Sequence, residues 1–359
     1  MKVVYWCFGW ILILCSTANA QKSSRYKDRV AIIHSNIYKE FYNPATNLFL
    51  ETNDPAHNER PHSFLWPVCA LIQGTNEMEE LEPKKKYMQP VIKAIEQYYN
   101  TKPPAPGYQA YVVKESSDDR FYDDNQWIAI AYLDAYHRNK NKQLLKLSEE
   151  IYRFMLTGYD EVSGGGIYWK EGDKTTKNTC SNGPGILIAL QLYKITKEKK
   201  YLDTAKLLYD WTNKYLLSPE GVYYDNVRLP SLKIDSAVYT YNTGTMLQSN
   251  VLFYRLTGDK KYLDEARRIA KLAEKYFYKN NRLPNNYWFN AVMLRGYVEL
   301  YEVDKDPKLL QFIIDDADRI WEQERDSNNL LGRRKVKSLI DQAGMLEIYA
   351  RIAKFKGEK

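Results

Sequence analysis

The chain has 359 residues, of which 27% are charged and 44% are hydrophobic, and this ordinary globular composition excludes a wholly disordered chain and a coiled coil. Its 52 lysines and arginines exceed its 45 acidic residues, for a formal charge of +7, but the two signs are interleaved along the chain. We therefore predict a solvated surface and no nucleic-acid partner.

The N-terminus has the pattern of a secretory signal peptide. Lys2 is followed by an apolar run over residues 3–15 and by small residues that end at Ala20, which predicts cleavage after Ala20. The run is too short to cross a bilayer, which needs about 20 residues. We predict a secreted protein, periplasmic or extracellular, in which residues 21–359 form a single domain without an integral membrane segment. Lipid attachment at Cys15 is the less favoured alternative, because a large residue precedes it.

A helical unit is repeated along the chain. Four windows begin with a tyrosine, continue through a polar turn and reach an apolar pair eight residues later. Apolar helical patterns precede and follow each window, so the unit is a helix, a tight turn and a second helix. The four tyrosines are Tyr136, Tyr193, Tyr254 and Tyr301.

Extending this pattern predicts twelve helices of two alternating kinds. Charge-rich amphipathic segments alternate with segments that are apolar on most sides, as expected for an outer and an inner layer. The alternation predicts an all-α fold, an (α/α)6 barrel of six helical hairpins. An open helical solenoid is the alternative, although its repeats would be more uniform in length. The predicted helices lie near residues 27–43, 63–79, 84–100, 122–138, 142–157, 182–195, 198–216, 237–256, 259–278, 286–302, 306–325 and 337–355.

Unequal connections indicate where the site lies. Residues 158–180, 217–236 and 280–285 each lead into the N-terminus of a predicted inner helix, whereas the turns from inner to outer helices are tight. Long loops on one face usually carry function, so we predict a cleft at the inner-helix N-termini. Cys69 and Cys180 fit no zinc-site spacing and fall on inner helices that are not neighbours. We expect no metal, no cofactor and no disulfide between them.

Two adjacent carboxylates, Asp123 and Asp124, fall at the start of a predicted inner helix. Aspartate is a favoured residue at helix starts, because it accepts hydrogen bonds from free backbone N–H groups and suits the helix dipole. On the pair alone, this capping role is the favoured interpretation. The catalytic alternative is that one ionised and one protonated carboxyl divide the work of glycoside cleavage.

Aromatic residues are abundant, with 31 tyrosines, 8 tryptophans and 11 phenylalanines. They suit either core packing or a groove that stacks on sugar rings. Of Trp66, Trp127, Trp169 and Trp288, which lie near the expected cleft, we expect two to contact a ligand. For His62, packing and a role as base or sugar ligand are equally favoured.

Two further features have alternative interpretations. The glycines at residues 164–166 suit either a tight turn or the approach of backbone to a ligand. The acidic run at residues 315–318 falls on a predicted outer helix and is expected to be solvated.

The sequence resembles glycoside hydrolase family 76, the α-1,6-mannanases, in four motifs that occur in the expected order. The resemblance covers most of the chain after residue 20. It implies an (α/α)6 barrel that is endo-acting, cleaves α-1,6-mannosidic bonds of a mannan backbone and retains the anomeric configuration. The motifs are YDDNQW at 122–127, SGGGIYW at 163–169, SNGP at 181–184 and YTYNTG at 239–244.

The resemblance also assigns roles to individual residues. It implies that Asp123 is the nucleophile and Asp124 the acid/base, and that the partner is α-1,6-mannan or its oligosaccharides. We separately expect the chain to be a monomer. Tyr168 and Thr243 depart from the residues common in the family, which bears on substrate preference more than on chemistry. The expected substrate-binding residues are His62, Trp66, Trp127, Gly165, Gly166, Trp169, Asn182, Gly183, Asp235, Tyr239, Tyr241 and Asn242.

Because the two aspartates share one helix dipole, local groups must separate their pKa values. We expect Tyr122 and Trp127 to form an apolar wall against the acid, and the amides of Asn125 and Asn182 to hydrogen-bond the nucleophile. We also expect Asn182, together with Asp235 and Tyr241, to line the cleft near the scissile sugar.

Two other functions stay open. The family also contains fungal wall proteins thought to transfer glycans, so transglycosylation on cell-wall mannan is one alternative. A non-catalytic carbohydrate-binding helical-repeat protein is the other, and the presence of both aspartates argues against it.

Overall fold

The computed structural model describes residues 25–356; the predicted signal peptide at residues 1–20 lies outside them. The described part contains twelve α-helices, each overlapping a helix expected from the sequence. They are α1 (25–40), α2 (Leu65–Leu81), α3 (Met88–Ile95), α4 (Tyr122–Asn139), α5 (Lys142–Leu156), α6 (Thr179–Thr196), α7 (Lys199–Leu216), α8 (Thr240–Thr257), α9 (Lys260–Phe277), α10 (Tyr287–Asp304), α11 (Lys308–Gln323) and α12 (Leu339–Phe355). None of these helices has both the length and the apolar character of a bilayer span.

The even-numbered helices form a closed ring. Helices α2, α4, α6, α8, α10 and α12 each pack against the next, and α12 packs against α2. Helices α3, α5, α7, α9 and α11 each pack on an inner helix. Helix α1 completes the outer layer, because Arg29 donates to Asp318 of α11 at 2.6 Å and Tyr26 stacks on Tyr349 of α12. Closure of the ring confirms the (α/α)6 barrel and excludes the open solenoid.

The repeated tyrosines mark the ends of four inner helices. In each case the residue four positions later adopts a left-handed conformation, and its N–H donates to the tyrosine carbonyl at 2.8–2.9 Å. This is a helix C-cap that satisfies a terminal carbonyl and turns the chain. The repeat therefore encodes the tight turn between an inner and an outer helix. The capping residues are Lys140, Lys197, Gly258 and Lys305.

The inner helices approach each other closely where glycine replaces a side chain. A Cβ atom on Gly244 of α8 would lie 2.4 Å from the Cα of Met293 in α10. No side chain fits in that gap, so glycine at this position allows α8 and α10 to pack closely within the inner ring.

Seven short strands lie in the connections. The third predicted helix is shorter than expected, because α3 is followed by a single 3-10 turn (Glu96–Tyr98) and then a strand. The connections before α6 and α8 are not irregular loops but supply an antiparallel sheet in the order β5-β6-β7. The strands are β1 (Tyr42–Asn43), β2 (Leu48–Phe49), β3 (Tyr99–Asn100), β4 (Gly107–Tyr108), β5 (Thr176–Asn178), β6 (Tyr224–Arg228) and β7 (Lys233–Val238).

The acidic run on α11 is solvated only in part: Asp315 is exposed as expected, but the other two aspartates are not. Asp316 is buried and accepts from Arg319 at 2.6 Å, and Asp318 binds Arg29 of α1. These carboxylates hold the outer layer together, because arginines on the same and the neighbouring helix reach them.

The C-terminal halves of the inner helices surround a cavity of about 320 Å³, which we call the basal cavity. A buried ion-pair network lies at this end. Arg295 forms a bidentate pair with Glu347 at 2.7 and 2.8 Å. Arg351 contacts Glu347 at 2.9 Å and Glu77 at 3.0 Å.

Candidate active site

A cleft of about 400 Å³ lies at the opposite end, where the inner helices begin. Helices α2, α4, α8 and α10 contribute the residues that begin them, and loops close the sides. This is the end of the barrel at which the sequence predicted a cleft. Its lining residues are Phe64, Trp66, Ala110, Asp118, Phe121, Asp123, Asp124, Trp127, Trp169, Tyr241, Trp288 and Phe289.

Aromatic rings form most of the cleft wall. Trp288 packs against Trp66 and Trp127, with ring centroids 6.1 and 5.5 Å apart. Trp169 packs on a phenylalanine at the cleft edge and stays 40% exposed. All four tryptophans line the cleft; that two of them contact a ligand stays a prediction. Flat apolar faces beside carboxylates are the surface that a sugar ring requires.

The two aspartates occupy the first turn of α4. The N-cap of this helix is Phe121, which has no side-chain acceptor, so Asp123 and Asp124 lie one and two residues inside the first helical position. Oδ1 of Asp123 is buried and has no hydrogen-bond partner among the described residues. A capping role at the N-cap therefore does not explain the pair.

The surroundings of the two carboxyls separate their pKa values. Burial raises the pKa of Asp123 to about 6, while the Cys180 thiol, backbone N–H groups and Trp169 partly offset it by hydrogen bonding. Burial raises the pKa of Asp124 well above its usual range, and the negative charges of Asp123 and Asp118 raise it further. The Asp124 carboxyl therefore keeps its proton to a higher pH than the Asp123 carboxyl does.

The groups that produce this separation are partly different from those expected. Trp127 lines the cleft, but Tyr122 points away from it and packs on Phe154 of α5, with ring centroids 5.1 Å apart. The amide of Asn125 donates to the carbonyls of Tyr108 and Phe121 at 2.8 and 2.7 Å. It therefore fixes the preceding loop to α4 and does not serve the nucleophile.

Asn182 has the same kind of role one inner helix further on. Its side chain accepts from the N–H of Ile167 at 2.8 Å and donates to the Ile167 and Asn178 carbonyls at 3.0 and 2.7 Å. The prediction that it lines the cleft is wrong, because its amide is fully used in holding a loop to α6. Cys180, two residues earlier, supplies a donor to Asp123 instead. Cys180 and Cys69 are both buried free cysteines.

The expected glycines pack against protein and do not line the cleft. Gly165 and Gly166 have φ values of 116° and 85°, and a Cβ on Gly166 would lie 2.6 Å from the indole of Trp211 on α7. A Cβ on Gly183 would lie 2.3 Å from Thr245 of α8. Glycine at positions 166 and 183 allows the loop to pack on α7 and α6 to pack on α8, because a side chain there would collide with Trp211 or Thr245.

Three other expected residues also lie outside the cleft lining. His62 is buried, with Nδ1 2.7 Å from a carboxylate oxygen of Glu115. Asp235 lies on β7, where the N–H of Ala237 and then Arg228 lower the pKa of its carboxyl. Asn242 is fully buried in α8.

The two expected tyrosines lie at the cleft edge. Tyr241 lines the cleft and stacks on Phe289 with ring centroids 4.0 Å apart. Tyr239 is 40% exposed, with its ring centroid 5.7 Å from that of Phe289.

Asp225, which sequence reasoning missed, lies near the site. It falls at an irregularity in the β6–β7 pairing, and such irregularities often redirect side chains beside active sites. Burial raises the pKa of its carboxyl, and its charge in turn raises the pKa values of Cys180 and Tyr241. Asp225 was difficult to predict from the sequence, because the residues around it lack the helical periodicity from which the helix starts were predicted.

Three further lining residues were also missed, namely Ala110, Asp118 and Phe289. Within residues 25–356 no group of three or more histidines, cysteines or acidic residues is arranged to hold a metal ion. The absence of a cofactor stays a prediction.

Curated relatives of the chain are fungal. The chain is 28% identical over 189 residues to mannan endo-1,6-alpha-mannosidase DCW1 of Candida glabrata, which covers 48% of this chain and 42% of the relative. The protein of the same name from Saccharomyces cerevisiae is 28% identical over 184 residues, with 47% and 41% covered. The chain thus spans less than half the length of these relatives.

Solved structures match over nearly the whole chain. A family 76 glycoside hydrolase from a bovine Bacteroides thetaiotaomicron strain has a TM-score of 0.86 at 25% identity, covering 92% of this chain and 78% of that one. A family 76 α-mannanase of Bacteroides thetaiotaomicron has the same TM-score at 26% identity, covering 92% and 96%. The family model described as glycosyl hydrolase family 76 matches residues 25–286. The chain belongs to glycosyl hydrolase family 76.

Proposed function

We propose that this protein is a glycoside hydrolase that cleaves α-1,6-mannosidic bonds within mannan chains and retains the anomeric configuration. One observation carries the proposal: two adjacent carboxyls with separated pKa values face a cleft walled by tryptophans. The printed names of the curated relatives support the choice of mannan as substrate.

In the proposed first step, the ionised Asp123 attacks the anomeric carbon while Asp124 donates its proton to the glycosidic oxygen. The bond from that carbon to the leaving oxygen breaks, and a bond to the Asp123 carboxylate forms. The departing sugar leaves as an alcohol, and a mannosyl ester remains on the enzyme.

In the second step, Asp124, now ionised, removes a proton from water. The water oxygen attacks the anomeric carbon from the face that the first sugar left, and Asp123 departs as a carboxylate. Two displacements restore the original α configuration, and Asp124 regains its proton.

We propose that Trp66, Trp127, Trp169, Tyr239 and Tyr241 contact sugar rings. The exposed rings of Trp169 and Tyr239 extend the aromatic surface to the edge of the cleft, which suits a polymer that continues beyond the scissile bond. The expected residues outside the lining then act on the substrate indirectly, by fixing the loops and helices of the cleft.

The remaining proposals concern the protein in its setting. We propose that the chain is secreted to the periplasm or the exterior after cleavage behind Ala20, and that it acts as a monomer. N-terminal sequencing of the exported protein tests the first, with Gln21 as the expected first residue. Sedimentation velocity tests the second.

The activity is tested by digesting linear α-1,6-mannan and following both product size and anomeric configuration by NMR. We expect oligosaccharides of intermediate length to accumulate early, with newly formed reducing ends in the α configuration. Release of mannose alone from chain ends would contradict the endo assignment. A β configuration at first release would contradict retention.

A further inference from the structure

The ionisable groups of the cleft are all of one sign. Among the lining residues in the described part of the chain, Asp118, Asp123, Asp124 and Tyr241 are titratable as acids, and no lysine, arginine or histidine joins them. In the proposed mechanism Asp124 carries the proton before the first step, so the negative charge comes from Asp118 and Asp123. Any ligand in the cleft meets this charge at close range.

Three nearby cations are each paired with a carboxylate outside the lining. Lys170 lies 2.6 Å from Asp119, although its charge also reaches Asp118. Two arginines near the cleft are paired in the same way. These pairs are Arg120 with Glu171 at 2.6 Å and Arg228 with Asp235 at 3.1 Å.

Asp118 is the carboxylate at the edge of this cluster. It lies in the loop before α4, is partly exposed, and accepts a hydrogen bond from the N–H of Asp119 at 2.7 Å. Its charge reaches the reaction centre, because it raises the pKa of Asp124. In the proposed mechanism Asp118 neither forms a bond to the sugar nor transfers a proton, so its charge is free to act on whatever enters.

We propose that the cleft selects uncharged mannan over mannan that carries phosphate groups, and that Asp118 is the specificity-determining residue. The inference rests on the proposed hydrolysis of α-1,6-mannan. A phosphate near the cleft is repelled by Asp118 and by Asp123 together. A neutral sugar avoids this repulsion, and its hydroxyls can donate hydrogen bonds to Asp118.

The test compares three α-1,6-mannotetraoses: the unmodified sugar, one with a 6-phosphate on its non-reducing mannose, and one with a 6-O-methyl group there. The methyl derivative controls for size. We expect kcat/KM at low salt to be about tenfold or more lower for the phosphate than for the methyl derivative. At about 0.5 M salt the difference should shrink, since screening weakens exposed charges.

Asp118→Asn should reduce the discrimination severalfold at low salt. Asp203→Asn, which removes the same charge from the outer helix α7, should keep the wild-type ratio. An equal rate for the phosphate and methyl derivatives, a ratio insensitive to salt, or an unchanged ratio in Asp118→Asn would overturn the proposal. Failure to cleave the unmodified tetraose would overturn the proposed function itself, which separates the two outcomes.

Discussion

At the basal end of the barrel, Glu347 is completely buried, and at the opposite end Asp124 lies in the wall of the cleft. Burial alone would raise the pKa of both carboxyls, but their charged neighbours act in opposite directions. For Glu347, the charges and hydrogen bonds of Arg295 and Arg351 outweigh burial, so its pKa falls below the usual value. For Asp124, the nearby charges are carboxylates, so its pKa rises well above the usual range.

Asp134 shows that direct contact with a cation decides whether the pKa of a buried carboxyl falls or rises. It lines the basal cavity with the arginines, yet its hydrogen bond comes from the neutral amide of Gln73 at 3.0 Å. Burial raises the pKa of Asp134 to about 6 despite the arginine charges nearby. The basal end therefore contains both arginine-paired and unpaired acids, whereas the two aspartates of the cleft form no ion pair within the described residues.

The largest expected effect is on activity at the cleft. Asp123→Asn should lower kcat/KM on α-1,6-mannan by about 10⁴-fold or more, because the amide cannot form the covalent intermediate. Steady-state hydrolysis measures the loss, and circular dichroism verifies the fold. Near-normal turnover would mean that Asp123 is not the nucleophile.

The matching change at the basal end should affect stability. Glu347→Gln should lower the free energy of unfolding by about 3–5 kcal/mol, because two buried arginines lose their carboxylate. The lowered pKa means that this stabilisation is present above the unfolded pKa of about 4.3 and is lost as pH falls through the folded value. Urea unfolding at pH 7 and at lower pH measures both effects.

The activity of the folded Glu347→Gln variant provides the control. Its kcat should stay within about twofold of wild type, because the network lies away from the cleft. A large loss of kcat with unchanged stability would contradict the division between the two ends.

The pH dependence of kcat/KM should be bell-shaped. Asp123 must be ionised, so activity should fall as pH drops through about 6. Asp124 must be protonated, so activity should fall again as pH rises through its raised pKa. A profile with no alkaline limb would contradict the role of Asp124.

Asp124→Asn should be more stable than wild type, in contrast to Glu347→Gln. Because the folded pKa of Asp124 is raised, its ionisation favours the unfolded state at pH values above about 3.9. Removing the ionisable group should raise the free energy of unfolding at pH 7 by about 0.5–2 kcal/mol. The gain should vanish near pH 3, and a gain that persists there would have another cause.

The smallest expected effect concerns the exposed edge of the cleft. Trp169→Ala should raise KM for mannan about two- to tenfold, the loss expected for one aromatic contact. Leu207→Ala, at a similarly exposed position on α7, should leave KM unchanged. An equal effect of both changes would mean that Trp169 does not contact the polymer.

The fold was largely predictable because its repeat has a local cause. Tyr136 and its three counterparts each lie four positions before the residue that caps one of four inner helices, so each of these turns is encoded within ten residues. The β5-β6-β7 sheet was missed, because strands of three to six residues in polar sequence have too weak a period to detect.

The site was predictable to the level of the helix starts but not of single side chains. Asp123, Asp124 and Tyr241 line the cleft as expected. Asn182 and Gly166 also lie in the predicted motifs, but Asn182 hydrogen-bonds loop backbone and Gly166 packs against Trp211. Which side of a helix start faces the cleft depends on contacts with distant segments, and these are absent from the local sequence.

The central claim is that adjacent aspartates in one helical turn act as nucleophile and acid. The most direct test uses the Asp124→Ala variant, an activated aryl α-1,6-mannobioside whose leaving group needs no proton, and azide as the acceptor. A covalent intermediate on Asp123 predicts restored turnover with the α-configured glycosyl azide as product. Recovery of the β-azide would mean a single inverting displacement and would contradict the assignment of Asp123 as nucleophile.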